Sequence, residues 1–395
     1  MSTLMQAVER RRESSEIPAS GTVSVTDLLR QFTPTPKGST RALILKMFEV
    51  VAQAKPWAVI LCRFQGEPVN NALESPIETL FRDIFTPGSG GLVEYWREVS
   101  AGALDISGSK VFGWVMVDIP RAKAGGTDRT IPIGPGRGGL VDAAIRAVKA
   151  GDSHALDGFH GTISVYPYDW SIFGGSKDSE HIDGSADGYT GRVNLTPPFN
   201  GNITAHEMGH GFGMRHDVGS DLTTHYADPC CTMSQNGPFI HPRWQVAFGP
   251  AVCLTHLALH DLMYKRRVYY DGGDWLTKSE GITLPLAPIS CPRAHANLGI
   301  KLKYDSGGNS WDYYLEYAIP TEWNQGVPGA PYLFVRRGGL KVDQAETSVY
   351  LGGIQLTNLW TSGSEQWIEP AGNVRFRVEP TNLPGPIVMV TATKL

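Results

Sequence analysis

Apolar residues change their spacing from one segment of the chain to the next, and each spacing predicts a different element. Residues 1–40 are polar and contain Thr33-Pro34-Thr35-Pro36-Lys37-Gly38, which predicts a linker-like N-terminal extension. A run over 57–64 that is apolar except at Arg63 predicts a buried strand. Helical spacing follows over 77–99, and a second strand is predicted over 111–119. Leu140, Ala144, Ile145 and Val148 recur on one face of a helix predicted over 139–150, and a further strand is predicted over 162–168. Strands alternating with helices imply a mixed sheet with helices packed on it, so the fold class expected for this part is α/β (α+β).

Residues 173–200 are rich in Gly, Asp and Ser, broken only at 189–195, which reads as an edge strand beside a substrate groove. Asp178, Glu180, Asp183 and Asp187 in this segment could offer oxygens to calcium, but their spacing does not fit an EF-hand loop and calcium stays unassigned. After residue 270 helical spacing stops. Trp311, Tyr313, Leu315 and Tyr317 alternate with Asp312, Tyr314 and Glu316, the signature of strands with one buried face, and an all-β sandwich-like domain is expected there. Trp311, Tyr314, Trp323 and Tyr332 read as core aromatics, with stacking on polysaccharide as the alternative.

A length of 395 residues exceeds what one core usually buries, which supports an extension over 1–40, an α/β domain over 41–270 and a β-rich domain over 271–395. A net charge of −4 gives no dominant field, so nucleic acid and anionic membranes are not expected partners. No stretch is long and apolar enough to span a bilayer. A protein or a neutral polymer fits better. The cysteines Cys62, Cys230, Cys231, Cys253 and Cys291 are too few for a disulfide scaffold, although a bridge or two among the last four is open. Cys62 lies in a predicted strand and reads as core. Residues 1–21 carry Arg10-Arg11-Arg12 and no apolar run, so no Sec-type leader is read there.

Against this ordinary background one segment is chemically dense: Thr204-Ala205-His206-Glu207-Met208-Gly209-His210-Gly211-Phe212-Gly213-Met214-Arg215-His216-Asp217. Residues four apart share a helix face, so His206 and His210 can present nitrogens to one metal ion while Glu207 stands beside it as a base. Gly213 can adopt a positive φ, end the helix and bring His216 round as a third ligand. Three histidines leave the fourth position of a zinc ion open for water, whose pKa the metal lowers towards about 7. By residue frequencies alone, a chance occurrence of this extended pattern is on the order of 10⁻⁴.

The pattern from His206 to His216 resembles H-E-x-x-H-x-x-G-x-x-H of the metzincin zinc peptidases. Met233, in Cys230-Cys231-Thr232-Met233-Ser234, is similar in position to the Met of their tight turn, whose implied role is an apolar floor beneath the ligands. Asp217 and the Cys231-x-Met233 arrangement resemble adamalysin-type enzymes. Trp96-Arg97-Glu98-Val99-Ser100-Ala101-Gly102 and the residues to Gly108, with Tyr314-Leu315-Glu316-Tyr317, resemble segments of gametolysin and immune inhibitor A-like peptidases, the closer group in overall architecture. The resemblance implies a metzincin-type catalytic domain with a mixed twisted sheet and an active-site helix. It also implies one catalytic Zn²⁺, hydrolysis of peptide bonds in protein substrates, and secretion. Tyr226 is a further candidate for a fifth ligand or oxyanion donor, although some metzincins place such a Tyr after the Met, where this chain has Gln235.

A protein or peptide substrate would lie extended along 189–195, adding main-chain hydrogen bonds. A polysaccharide or cell-surface contact through 271–395 is a further option. His225, His241, His256 and His260 follow the motif; His256 and His260 share a helix face, but no Glu follows His256, and they read as ordinary surface or core rather than as a second site. Two other functions fit the same residues. One is a catalytically inactive zinc-containing adhesion or recognition protein, against which Glu207 speaks, because a structural zinc has no use for a base. The other is a zinc amidase acting on a non-peptide or cell-wall substrate.

Overall fold

The computed structural model describes residues 52–121, 136–168, 183–184 and 191–395, the last except at 292, 293, 295, 307, 328–330, 343, 344, 358, 360–362, 370 and 384. The extension over 1–40, and Asp178, Glu180 and Asp187, lie outside the described residues. Strand β1 (Trp57–Arg63) is apolar on both faces and buried on both. Trp57, Val59 and Leu61 point into one core with helices α1 (Asn71–Ile84), α2 (Leu92–Val99) and α4 (Gly201–Gly211). Ile60 and Cys62 point the other way, onto Leu140, Ala143 and Ala144 of α3 (Gly136–Lys149). Burial pushes the Cys62 thiol up to about 12, as a core cysteine requires.

β1 is flanked by β2 (Lys110–Met116) and β3 (Gly161–Val165), and the sheet continues through β5 (Arg192–Leu195) to β4 (Asp183–Gly184). All neighbours are parallel except β4 and β5, which are antiparallel. Two expectations are corrected here. The helical stretch over 77–99 is two helices, because Thr86-Pro87-Gly88-Ser89-Gly90-Gly91 intervenes and Gly88 and Gly90 take φ of 81° and 80°. Residues 192–195 are not the free edge: Asp183 and Gly184 pair with Asn194 and Val193 and occupy that side.

The later residues form two sheets. One runs in the order β7 (Val268–Asp271), β9 (Gly299–Ser306), β10 (Asn309–Ala318), β11 (Tyr332–Val342), β12 (Ala345–Gln355) and finally β6 (Val218–Gly219). The other is antiparallel, in the order β8 (Ile282–Leu286), β15 (Val388–Lys394), β14 (Val374–Pro380) and β13 (Glu365–Glu369). Leu302, Leu315 and Val335 of the first share a core with Phe376, Val378 and Val390 of the second. Trp311, Tyr314 and Trp323 are buried, which favours packing over a sugar platform. Residues 52–395 form one compact unit. Two contacts bridge position 270: β6 joins the later sheet through Val218 and Val349, and Tyr314 and Leu298 share a core with Leu254 and Leu257 of α5 (Leu254–Leu259). Among the described residues, no helix is long and apolar enough to cross a membrane.

Candidate metal centre

Helix α4 carries several glycines and little intrinsic helix propensity, so packing and caps must hold it. Asn200 Oδ1 accepts from the Ile203 N–H at 2.7 Å at its start. At its end Gly213 takes φ 98° and the Met214 N–H returns to the Gly209 carbonyl at 3.0 Å, the left-handed exit that frees the chain to turn back. The helix is buried on every side. A Cβ at Gly211 would stand 2.4 Å from the Trp57 ring, and one at Gly209 would stand 2.5 Å from Met233 Sδ. These glycines let the helix approach the sheet on one side and the Met233 turn on the other.

The three predicted histidines converge. His210 Nε2 lies 3.1 Å from His206 Nε2 and 3.0 Å from His216 Nε2. His206 Nδ1 donates to the Thr232 carbonyl at 2.9 Å, and His210 Nδ1 donates to the Met214 carbonyl at 2.8 Å. A carbonyl can only accept, so in the neutral rings those protons sit on Nδ1 and the Nε2 lone pairs of His206 and His210 face each other. Two acceptors at contact distance repel unless a cation lies between them. A tetrahedral zinc with Zn–N bonds of about 2.0–2.1 Å would set such nitrogens about 3.3 Å apart, close to the spacing found. Burial drives the His206 imidazole far below its ordinary value, and burial together with neighbouring groups drives His210 down to about 4 and His216 to about 3. All three are therefore neutral near pH 7, the form a metal binds.

Glu207 is buried, with Oε1 3.7 Å from His206 Nε2, beside the cluster rather than within it. Met233 sits in a 3₁₀ turn, Thr232–Ser234, fully buried beneath Gly209. The Thr232 carbonyl of the same turn orients His206, a contact that the sequence does not signal. Tyr226 Oη lies 3.1 Å from His216 Nε2, with the two rings 4.2 Å apart. Its backbone is left-handed, φ 59°, an uncommon state for a large residue. The Tyr226 N–H bonds to the Asp217 carbonyl at 2.9 Å, and its own carbonyl accepts from Asn236 Nδ2 at 2.8 Å, which together hold that conformation. His225 is farther out, its ring 6.3 Å from that of His216.

His256 lies in the core, one of the two settings expected of it, among other potential metal ligands. It is fully buried, 3.1 Å from Asp217 and close to Cys231 and Cys253. All five cysteines are free thiols, so the bridges left open in the sequence are not formed. Comparison of the chain with models of known protein families finds no match, and neither does comparison with curated proteins.

Proposed function

We propose that this chain is a zinc-dependent endopeptidase of the metzincin kind, with His206, His210 and His216 as metal ligands and Glu207 as general base. The observation that carries the reading is the convergence of three imidazole nitrogens, two with their lone pairs fixed inward, beside a buried carboxylate that is not one of them. Zinc held there would supply Lewis acidity to a scissile carbonyl and to the attacking water. Glu207 takes the proton of that water and passes it to the leaving amine. The Tyr226 hydroxyl donates to the oxygen on which negative charge develops. Met233 keeps the underside of the ligand helix dry and fixed. An extended peptide adds to the sheet on the outer side of β4, rather than along 192–195.

The test is hydrolysis of a denatured protein by the purified chain, before and after a chelator, with peptidoglycan assayed in parallel. Cleavage of the protein that a chelator abolishes and stoichiometric zinc restores is the expected result. A zinc-loaded chain that cleaves peptidoglycan only would move the reading to an amidase, and one that cleaves neither would move it to recognition. Tyr226→Phe is expected to lower kcat on the order of 10²-fold with KM and zinc content little changed, the signature of a donor used in the transition state. Equal losses in kcat and zinc content would make Tyr226 a ligand support instead.

A further inference from the structure

We infer that Asp217, Cys231, Cys253 and His256 form a second, closed metal site whose ion is zinc and whose role is structural. Their ligand atoms, one from each residue, lie within 4.8 Å of one another, and all four residues are fully buried. Asp217 Oδ1 is the shared vertex: His256 Nε2 stands 3.1 Å from it and Cys253 Sγ 3.7 Å. A tetrahedral zinc draws such atoms to about 3.3–3.8 Å from one another, given bonds of about 2.0 Å to N and O and about 2.3 Å to S.

The hydrogen bonding points the same way. His256 Nε2 is paired with Asp217 Oδ1 at 3.1 Å, and its buried Nδ1 meets no hydrogen-bond partner among the described residues. An imidazole and a thiol that converge on one carboxylate oxygen in a fully buried place are arranged as metal ligands are, aimed at a shared point. The outer contacts are those of ligands already oriented. Cys231 Sγ accepts the Cys253 N–H at 3.4 Å, and Asp217 Oδ2 accepts from Ser234 Oγ at 3.1 Å. Two sulfurs, one nitrogen and one oxygen fill four positions, and burial leaves none for water, which makes the site structural rather than catalytic. Binding replaces the two thiol protons and the proton shared between His256 and Asp217.

The position of the site gives it a purpose. Asp217 follows His216 directly, and Cys231 precedes Thr232 and Met233, while Cys253 and His256 belong to the start of α5. One ion would therefore clamp the segment that delivers the third histidine, and the turn that orients His206, to a single helix.

Metal analysis and cobalt spectroscopy of the full chain test this independently of the peptidase reading. The wild type is expected to carry two zinc ions, and both His206→Ala/His210→Ala and Cys231→Ser/Cys253→Ser one each. Reconstituted with Co²⁺, the wild type and the His206→Ala/His210→Ala variant are expected to show a near-ultraviolet thiolate-to-cobalt charge-transfer band, which an all-histidine site cannot produce. That band is read on chains with both cysteines intact, so a cysteine variant that fails to fold does not remove the test. Absence of the band from both, or an intact mass lower by the hydrogens of a disulfide, overturns the inference. If the histidine variant keeps one metal and its band while the wild type cleaves no protein, the second site stands and the peptidase reading falls.

Discussion

Glu207→Gln is expected to lower kcat on a denatured protein by on the order of 10²–10⁴ while zinc content and KM stay near wild type. The amide has nearly the shape of the carboxylate and can still hydrogen-bond, so packing inside this buried site is preserved. What it loses is the capacity to take a proton. Glu207 Oε1 stands 3.7 Å from His206 Nε2, close enough to reach a water that a bound metal would hold yet outside the trio of nitrogens at 3.0–3.1 Å. Zinc analysis beside the kinetics separates the outcomes. A loss below tenfold with zinc retained means that another group accepts the proton, and a parallel loss of zinc makes Glu207 a ligand.

The spacing of His206, Glu207 and His210 was legible because a helix imposes it whatever surrounds it, and Gly213 was legible because a left-handed exit favours glycine. Strand β1 was legible for a similar reason, its apolar run allowing burial on both faces. What could not be read depended on contacts distant in sequence. Nothing near 192–195 tells that residues 183–184 cover its edge, since pairing is decided by the partner strand. Periodicity carried the helix signal across 85–91 although Pro87 and the glycines after it break the chain there. Tyr226 reaches His216 through a positive φ that its own sequence does not favour and that Asn236 and Asp217 enforce. The gathering of His256 with Asp217, Cys231 and Cys253 could not be read, because these residues come from separate places in the chain and follow no motif spacing.

The largest stability loss is expected from Arg336→Met, on the order of 3–5 kcal/mol by urea denaturation at pH 7. Arg336 is fully buried in β11; its Nε donates to Asp228 Oδ2 at 2.5 Å and its Nη1 to Glu316 Oε2 at 3.1 Å. Both carboxylates are buried too, and each also holds a backbone N–H, Asp228 that of Cys230 at 2.8 Å and Glu316 that of Leu254 at 2.6 Å. Methionine fills much of the volume but leaves two negative groups without a cation. Burial already raises the Asp228 and Glu316 pKa values, and removing the opposing Arg336 charge raises them further. The folded variant then binds protons at a pH where unfolded carboxylates, with pKa of about 3.9 and 4.3, are still ionised. Its stability relative to wild type must therefore rise as pH falls, and the deficit should narrow between pH 7 and about pH 5. A deficit independent of pH would assign the loss to packing instead. Adding Asp228→Leu and Glu316→Leu removes the stranded charges and should recover part of the loss, but not all of it, because the Cys230 and Leu254 N–H groups then lose their acceptors. Those two backbone groups adjoin Cys231 and Cys253, so the same triple variant should also loosen the Met233 turn although part of the global stability is recovered.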